Sequence, residues 1–203
     1  MAVLGEDRLA VALADAARDA GFSVGSGDEA WLTIDCRPAG AQRTPAGAPV
    51  ARLLREGSLH RLNPRAAGFH SLPPFDAVKL VELTRTALTD PEAATRTEAF
   101  FTALGRHIAN VDDAPGLVCG RVICQLINEA AFLLGEGNGT PEDIDAGMEL
   151  GVNHPRGPVA WAEAIGLDAV IGTLDALHAE LGEERYRVAP FLRKRAAVGA
   201  GLR

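Results

Sequence analysis

Two side chains in the stretch GFHSLPPFDAVKLVEL, His70 and Glu82, have the types that proton transfer needs. An imidazole titrates near neutral pH, so it can take a proton from a reacting hydroxyl. A carboxylate on the other ring nitrogen fixes the tautomer and supports the transient imidazolium. A separation of twelve residues carries no message by itself, so the surrounding sequence must supply it. His154, in the loop NHPRGP, reads as a loop histidine bonded to backbone, and His60, His107 and His178 have no constellation around them. Cys36, Cys119 and Cys124 form neither a CxxC pair nor an even disulfide set, which reads as ordinary thiols in a reducing compartment with no metal site.

The elements that must position these groups begin with a short apolar run, Ala2 to Leu4, then a helical spacing of Leu9, Val11, Leu13, Ala14 and Ala17 stopped by Gly21, then a second short strand closed by Val24. This is a βαβ opening of the kind that starts a dinucleotide-binding fold, whose fingerprint would place glycines at positions 5, 7 and 10. Gly5 is present, but Asp7 and Ala10 replace the other two, so a carboxylate joined by Glu6 points at the place of two phosphates. Trp31 to Cys36 reads as a strand, 37–49 as an exposed loop, Val50 to Arg55 as a short helix and Ala66 to His70 as a strand. Asp90 caps a helix that runs to Gly105, Arg106 to Val111 is a strand, and 112–116 forms a joint. Beyond it Leu117, Ile123, Leu126, Ile127, Ala130 and Leu134 stripe a long helix on which Glu129 faces outward. Thr140, Pro141 and Asp143 cap and open the next helix, Gly151 ends it, and a later helix from Leu167 stops at Gly182.

A net charge of −7 and a pI near 5.2 argue against a nucleic-acid footprint, which needs a basic face. The basic cluster Arg193, Lys194 and Arg195 reads as a solvated helix end. Hydrophobic residues make up 47% of the chain, ample for a buried core, yet no window approaches a membrane span. The acidic residues Glu6, Asp7 and Asp15 do not suit a signal peptide, so the expected location is cytoplasmic.

The runs NEA, EG, TPEDIDAGMELG, HPRGPVAWAEAIGLD and LGEERYRVAPFLRK resemble the C-terminal helical domain of the 3-hydroxyacyl-CoA dehydrogenases. HSLPPFDAVKLVE is similar to that family's catalytic segment. The resemblance implies an α/β, reduced Rossmann-like unit over 1–112 and an all-α helical dimerisation domain over 113–203. The reduction lies between Val24 and Trp31, where the family has more helices and strands. It implies His70 as base, Glu82 as its orienter, Gly5 as the remnant of a degenerate NAD site, and acyl-CoA as substrate or ligand. The family's two asparagines correspond to Pro73 and Gly120, and its substrate-contacting serine has no match here. The implied function is a slow NAD-dependent oxidation of a 3-hydroxyacyl-CoA in fatty-acid metabolism, by a homodimer or a chain paired with a related dehydrogenase subunit. The alternatives are a non-catalytic acyl-CoA-binding or partner subunit, which the losses at Asp7, Ala10, Pro73 and Gly120 favour, and a purely structural dimerisation module.

Overall fold

A computed structural model describes residues 1–25, 30–41 and 47–203, so part of the loop expected over 37–49 and most of the interval between Val24 and Trp31 lie outside the described residues. Two compact units divide the chain, Met1–Cys119 and Gly120–Arg203.

In the first unit β1 (Ala2–Leu4) leads through Gly5 into α1 (Arg8–Asp19). Asp7 opens α1 as its cap, accepting the Ala10 N–H at 2.8 Å, and Gly21 at φ +87° ends it as the spacing predicts. Then follow β2 (Thr33–Asp35), β3 (Val50–Leu53), α2 (Leu59–Leu62), β4 (Ala67–His70), β5 (Leu80–Thr84), α3 (Pro91–Ala103) and β6 (His107–Asn110). Among the described residues six strands lie side by side in chain order, every neighbouring pair parallel except β4 and β5.

Two expected elements differ. The segment closed by Val24 is not a strand; it runs beside Met1, whose carbonyl accepts the Gly25 N–H, and the strand that pairs with β1 is β2. Phe22 is instead spent on packing, stacked on Trp31 and edge-on to Phe100. Val50 to Arg55 is not a helix but largely β3, inserted between β2 and β4 with Ala51, Arg52 and Leu53 buried. A short apolar run is ambiguous by periodicity, and ladder bonds on both sides decide it.

Register and the period-two alternation of strands then sort the side chains. Ile34, Ala51, Leu53, Phe69, Val81 and Leu83 share a core with Leu13 and Ala17 of α1 and with Phe100 and Phe101 of α3. The opposite face carries Asp35, Arg52, Gly68, His70, Glu82 and Thr84, all buried. Gly68 keeps this face closed, since a Cβ there would stand 2.6 Å from side-chain carbons of Leu54 and Thr84. The joint after β6 is pinned: the Asp113 carboxylate accepts N–H groups of Leu59 and His60 at the start of α2, and Gly116 N–H bonds Leu54.

The second unit holds α4 (Cys119–Glu136, continuing from the first unit), α5 (Pro141–Gly151), α6 (Pro158–Ile165), α7 (Leu167–Leu181), a 3₁₀ turn (Glu184–Tyr186) and α8 (Pro190–Ala197). The apolar stripe of α4 buries Ile123, Ile127 and Ala130, with Glu129 exposed. Thr140 and Asp143 form a reciprocal capping box, and Gly182 ends α7 left-handed at φ +69°. Gly151 does not cap α5: it is helical, Val152 follows at φ −124°, and Asn153 takes the positive φ of +55°. Asparagine tolerates that region because its side chain can bond locally. The buried Asp145 accepts from Val159 and Ala160 at the start of α6, and Gly157 is required there because a Cβ would fall 2.2 Å from an Asp145 oxygen. Asn128, from the NEA run, donates to the Arg187 carbonyl and accepts from Ala189, fixing the entry to α8.

Candidate functional site

His70 ends β4 and Glu82 lies within β5, and the two are direct cross-strand partners in the antiparallel β4–β5 pair. Residues opposite each other in such a ladder share a face with their Cβ atoms about 5 Å apart. The twelve-residue separation is therefore the length of a hairpin that folds one group onto the other. Both are almost fully buried, and His70 Nδ1 stands 3.8 Å from Glu82 Oε2, beyond hydrogen-bond length. Among the described residues Nδ1 has no hydrogen-bond partner, although it is buried. Burial, with the nearby Arg55 guanidinium adding to it, pushes the imidazole down to about 3, so it is neutral near pH 7. Burial raises the Glu82 carboxyl, while hydrogen bonds from the Cys119 and Val118 backbone and the Cys119 thiol oppose that rise. The Cys119 N–H lies 3.1 Å from each carboxylate oxygen.

Sequence reasoning missed two contributors. Arg55 follows β3 and bears on both His70 and Asp7. Cys119 anchors Glu82, and its thiol is pushed up to about 11 by burial and by the carboxylate. Neither carries a spacing signal, since both partnerships bridge distant segments. The capping role of Asp7 was readable from a short acidic side chain just before an apolar helical period. Pro73 lies in the β4–β5 connection and has no donor, Gly120 is buried in the first turn of α4, and His154 in the helical unit donates its backbone N–H to Met148. Among the described residues no group of three or more His, Cys, Asp or Glu could hold a metal, and no helix is long and apolar enough to cross a membrane.

A dinucleotide at the β1–α1 turn needs free N–H groups at the helix start and bare backbone beneath the pyrophosphate. Here one Asp7 oxygen accepts the Ala10 N–H and the other is ion-paired with Arg55. Gly5 has its own structural reason, a φ of +127° and an added Cβ 3.1 Å from that of Cys36. The residues present do not fit a pyrophosphate.

Residues 116–201 match the model of the 3-hydroxyacyl-CoA dehydrogenase C-terminal domain. The chain is 42% identical over 135 residues to a probable 3-hydroxybutyryl-CoA dehydrogenase of Bacillus subtilis, a match covering 66% of this chain and 47% of that one. It is 36% identical over 126 residues to the 3-hydroxyadipyl-CoA dehydrogenase of Escherichia coli, covering 62% of this chain and 26% of that one. The matched stretch thus spans about half, or less, of the length of these relatives. The crystal structure of (S)-3-hydroxybutyryl-CoA dehydrogenase PaaH1 from Ralstonia eutropha superposes with a TM-score of 0.69 at 30% identity, covering 87% of this chain and 70% of that one. The fold alone is shared with FadB2 of M. tuberculosis, at a TM-score of 0.84 and 21% identity, over 100% of this chain and 97% of that one. With its helical domain matched, and a solved dehydrogenase covered over most of its length, the chain belongs to the 3-hydroxyacyl-CoA dehydrogenase family.

Proposed function

We propose that the chain acts on 3-hydroxyacyl-CoA thioesters as a slow member of its family, with His70 as the base and Glu82 as the group that orients it. The observation that carries this reading is the β4–β5 register, which sets a neutral imidazole against a buried carboxylate on one face. Oxidation of a secondary alcohol sends the hydroxyl proton to a base. Nδ1 faces Glu82, so Nε2 is the nitrogen left to receive that proton. Closing the 3.8 Å gap to hydrogen-bond length lets the carboxylate share the charge of the imidazolium. Pro73 and Gly120, the positions of the family's two asparagines, carry no side-chain donor, and lost donors of this kind each cost tenfold or more. NAD, the cofactor that family resemblance implies, would take the hydride that leaves the carbon. The residues named here serve the proton half alone.

Acetoacetyl-CoA and NADH, titrated separately by calorimetry and then mixed, test this reading. The thioester is expected to bind, NADH to bind no tighter than about millimolar, and turnover to fall far below about 10 s⁻¹. If no acyl-CoA turns over at high NADH, the dehydrogenase reading fails. A second reading, an acyl-CoA-binding or partner subunit without catalysis, then stands, and the closed β1–α1 turn favours it. We also propose a homodimer joined through the helical unit, supported by the exposed apolar Leu150, Val152 and Val198. A monomer mass by light scattering at micromolar concentration would count against it. A set of three cysteines, odd in number and without a CxxC pair, supports a reducing, cytoplasmic setting.

A further inference from the structure

We infer that Asp7 and Arg55 form a built-in replacement for a bound phosphate, so that this sheet end is closed to dinucleotides by its own ion pair. The C-terminal ends of the parallel strands β1 to β4 meet at one edge of the sheet, the edge where open α/β sheets bind ligands. Asp7 follows β1, Cys36 follows β2 and Arg55 follows β3, and the three interact there. A phosphate at this edge would accept from the first N–H groups of α1 and pair with a cation. The Asp7 carboxylate does both, taking the Ala10 N–H at 2.8 Å with one oxygen and the Arg55 guanidinium with the other. The Cys36 thiol, fully buried beside the pair and pushed far up by burial and then by Asp7, adds no negative charge. Topology reinforces the closure. A dinucleotide lies across the crevice where strand order reverses, whereas among the described residues the order runs from β1 to β6 without reversal and leaves β1 at the edge.

This inference does not rest on the roles of His70 and Glu82, and it separates two obstacles: the ion pair blocks the phosphate position, and the strand order removes the crevice. Inorganic pyrophosphate probes the first alone, and NADH probes both. Calorimetry on the whole chain is expected to show no saturable binding of either to the wild type below about millimolar. Asp7→Ser keeps a capping oxygen but releases Arg55, and it should bind pyrophosphate at least about tenfold more tightly than wild type. Adding Arg55→Ala should remove that gain. Asp7→Asn, which also keeps a capping oxygen, stands in if the serine variant does not fold. Micromolar binding of pyrophosphate or NADH by the wild type overturns the inference. So does a folded Asp7 variant with no gain, or a gain that survives Arg55→Ala.

Discussion

The β1–α1 turn and the β4–β5 pair lie in the same unit and hold the same kinds of groups, a carboxylate beside a cationic or basic partner, yet they are finished differently. Asp7 spends both oxygens on partners within the unit. Among the described residues His70 keeps a buried Nδ1 without a hydrogen bond, 3.8 Å from a carboxylate that is itself held by the N–H of Cys119. Leaving a buried polar atom unpaired costs about 1–3 kcal/mol. On the function proposed above, the turn whose groups are satisfied is closed and the pair left short of contact is poised.

The largest expected effect tests the poised pair. Where acetoacetyl-CoA reduction is measurable, His70→Ala should lower it by about 10²- to 10⁴-fold, the range of general-base assistance, and Glu82→Gln should lower it less. Steady-state rates at saturating thioester decide the matter. Turnover that survives His70→Ala would make the open Nδ1 a structural feature and direct attention to another base, with His154 first.

Much of the fold was legible because its signals are local. Thr140 with Asp143, Asp90 before Pro91, and Gly182 after an apolar period each act within one turn of helix, and each sits where the sequence places it. The failures share a cause as well. VARLL fits helix and strand alike, and only its neighbours β2 and β4 make it β3. Gly151 is a good left-handed cap by type, but α5 runs through it and Asn153 takes the turn. For the candidate site, the surrounding words single out His70 and Glu82 as the pair to test. That they face each other is a fact of strand register, which no spacing rule delivers. Arg55 was invisible because its partner lies 48 positions away.

A smaller effect tests the closed turn. Asp7→Ala removes a helix cap, worth about 1 kcal/mol, and strips Arg55 of its partner. The ion pair adds at most a few tenths, because the Asp7 side chain is 37% exposed and water screens it. Urea unfolding should therefore show a loss of about 1–1.5 kcal/mol for Asp7→Ala, against under about 0.5 kcal/mol for Asp7→Ser, which retains a capping oxygen. Equal losses would mean that the charge, and not the cap, holds the turn.

The smallest expected effect is a dependence on pH that belongs to the poised pair alone. Burial takes His70 from its ordinary 6.5 down to about 3, so between those values the unfolded chain binds a proton that the folded chain refuses. The stability that His70 contributes is thus fully present above about pH 6.5 and is lost as pH falls toward 3, by at most about 1.4 kcal/mol per unit for one proton. Glu82 works in the opposite sense. Its carboxyl is raised, so its contribution is present below its ordinary 4.5 and shrinks as pH rises through the folded value. Because the two oppose, the wild-type profile alone cannot isolate the histidine, but its difference from His70→Gln can. Between pH 7 and 5.5 the wild type should lose about 1 kcal/mol more than His70→Gln in urea unfolding. Parallel profiles would mean that the imidazole takes up its proton without penalty in the folded chain. The contrast with the Asp7 turn would then fail, since a histidine that charges freely is already satisfied where it sits.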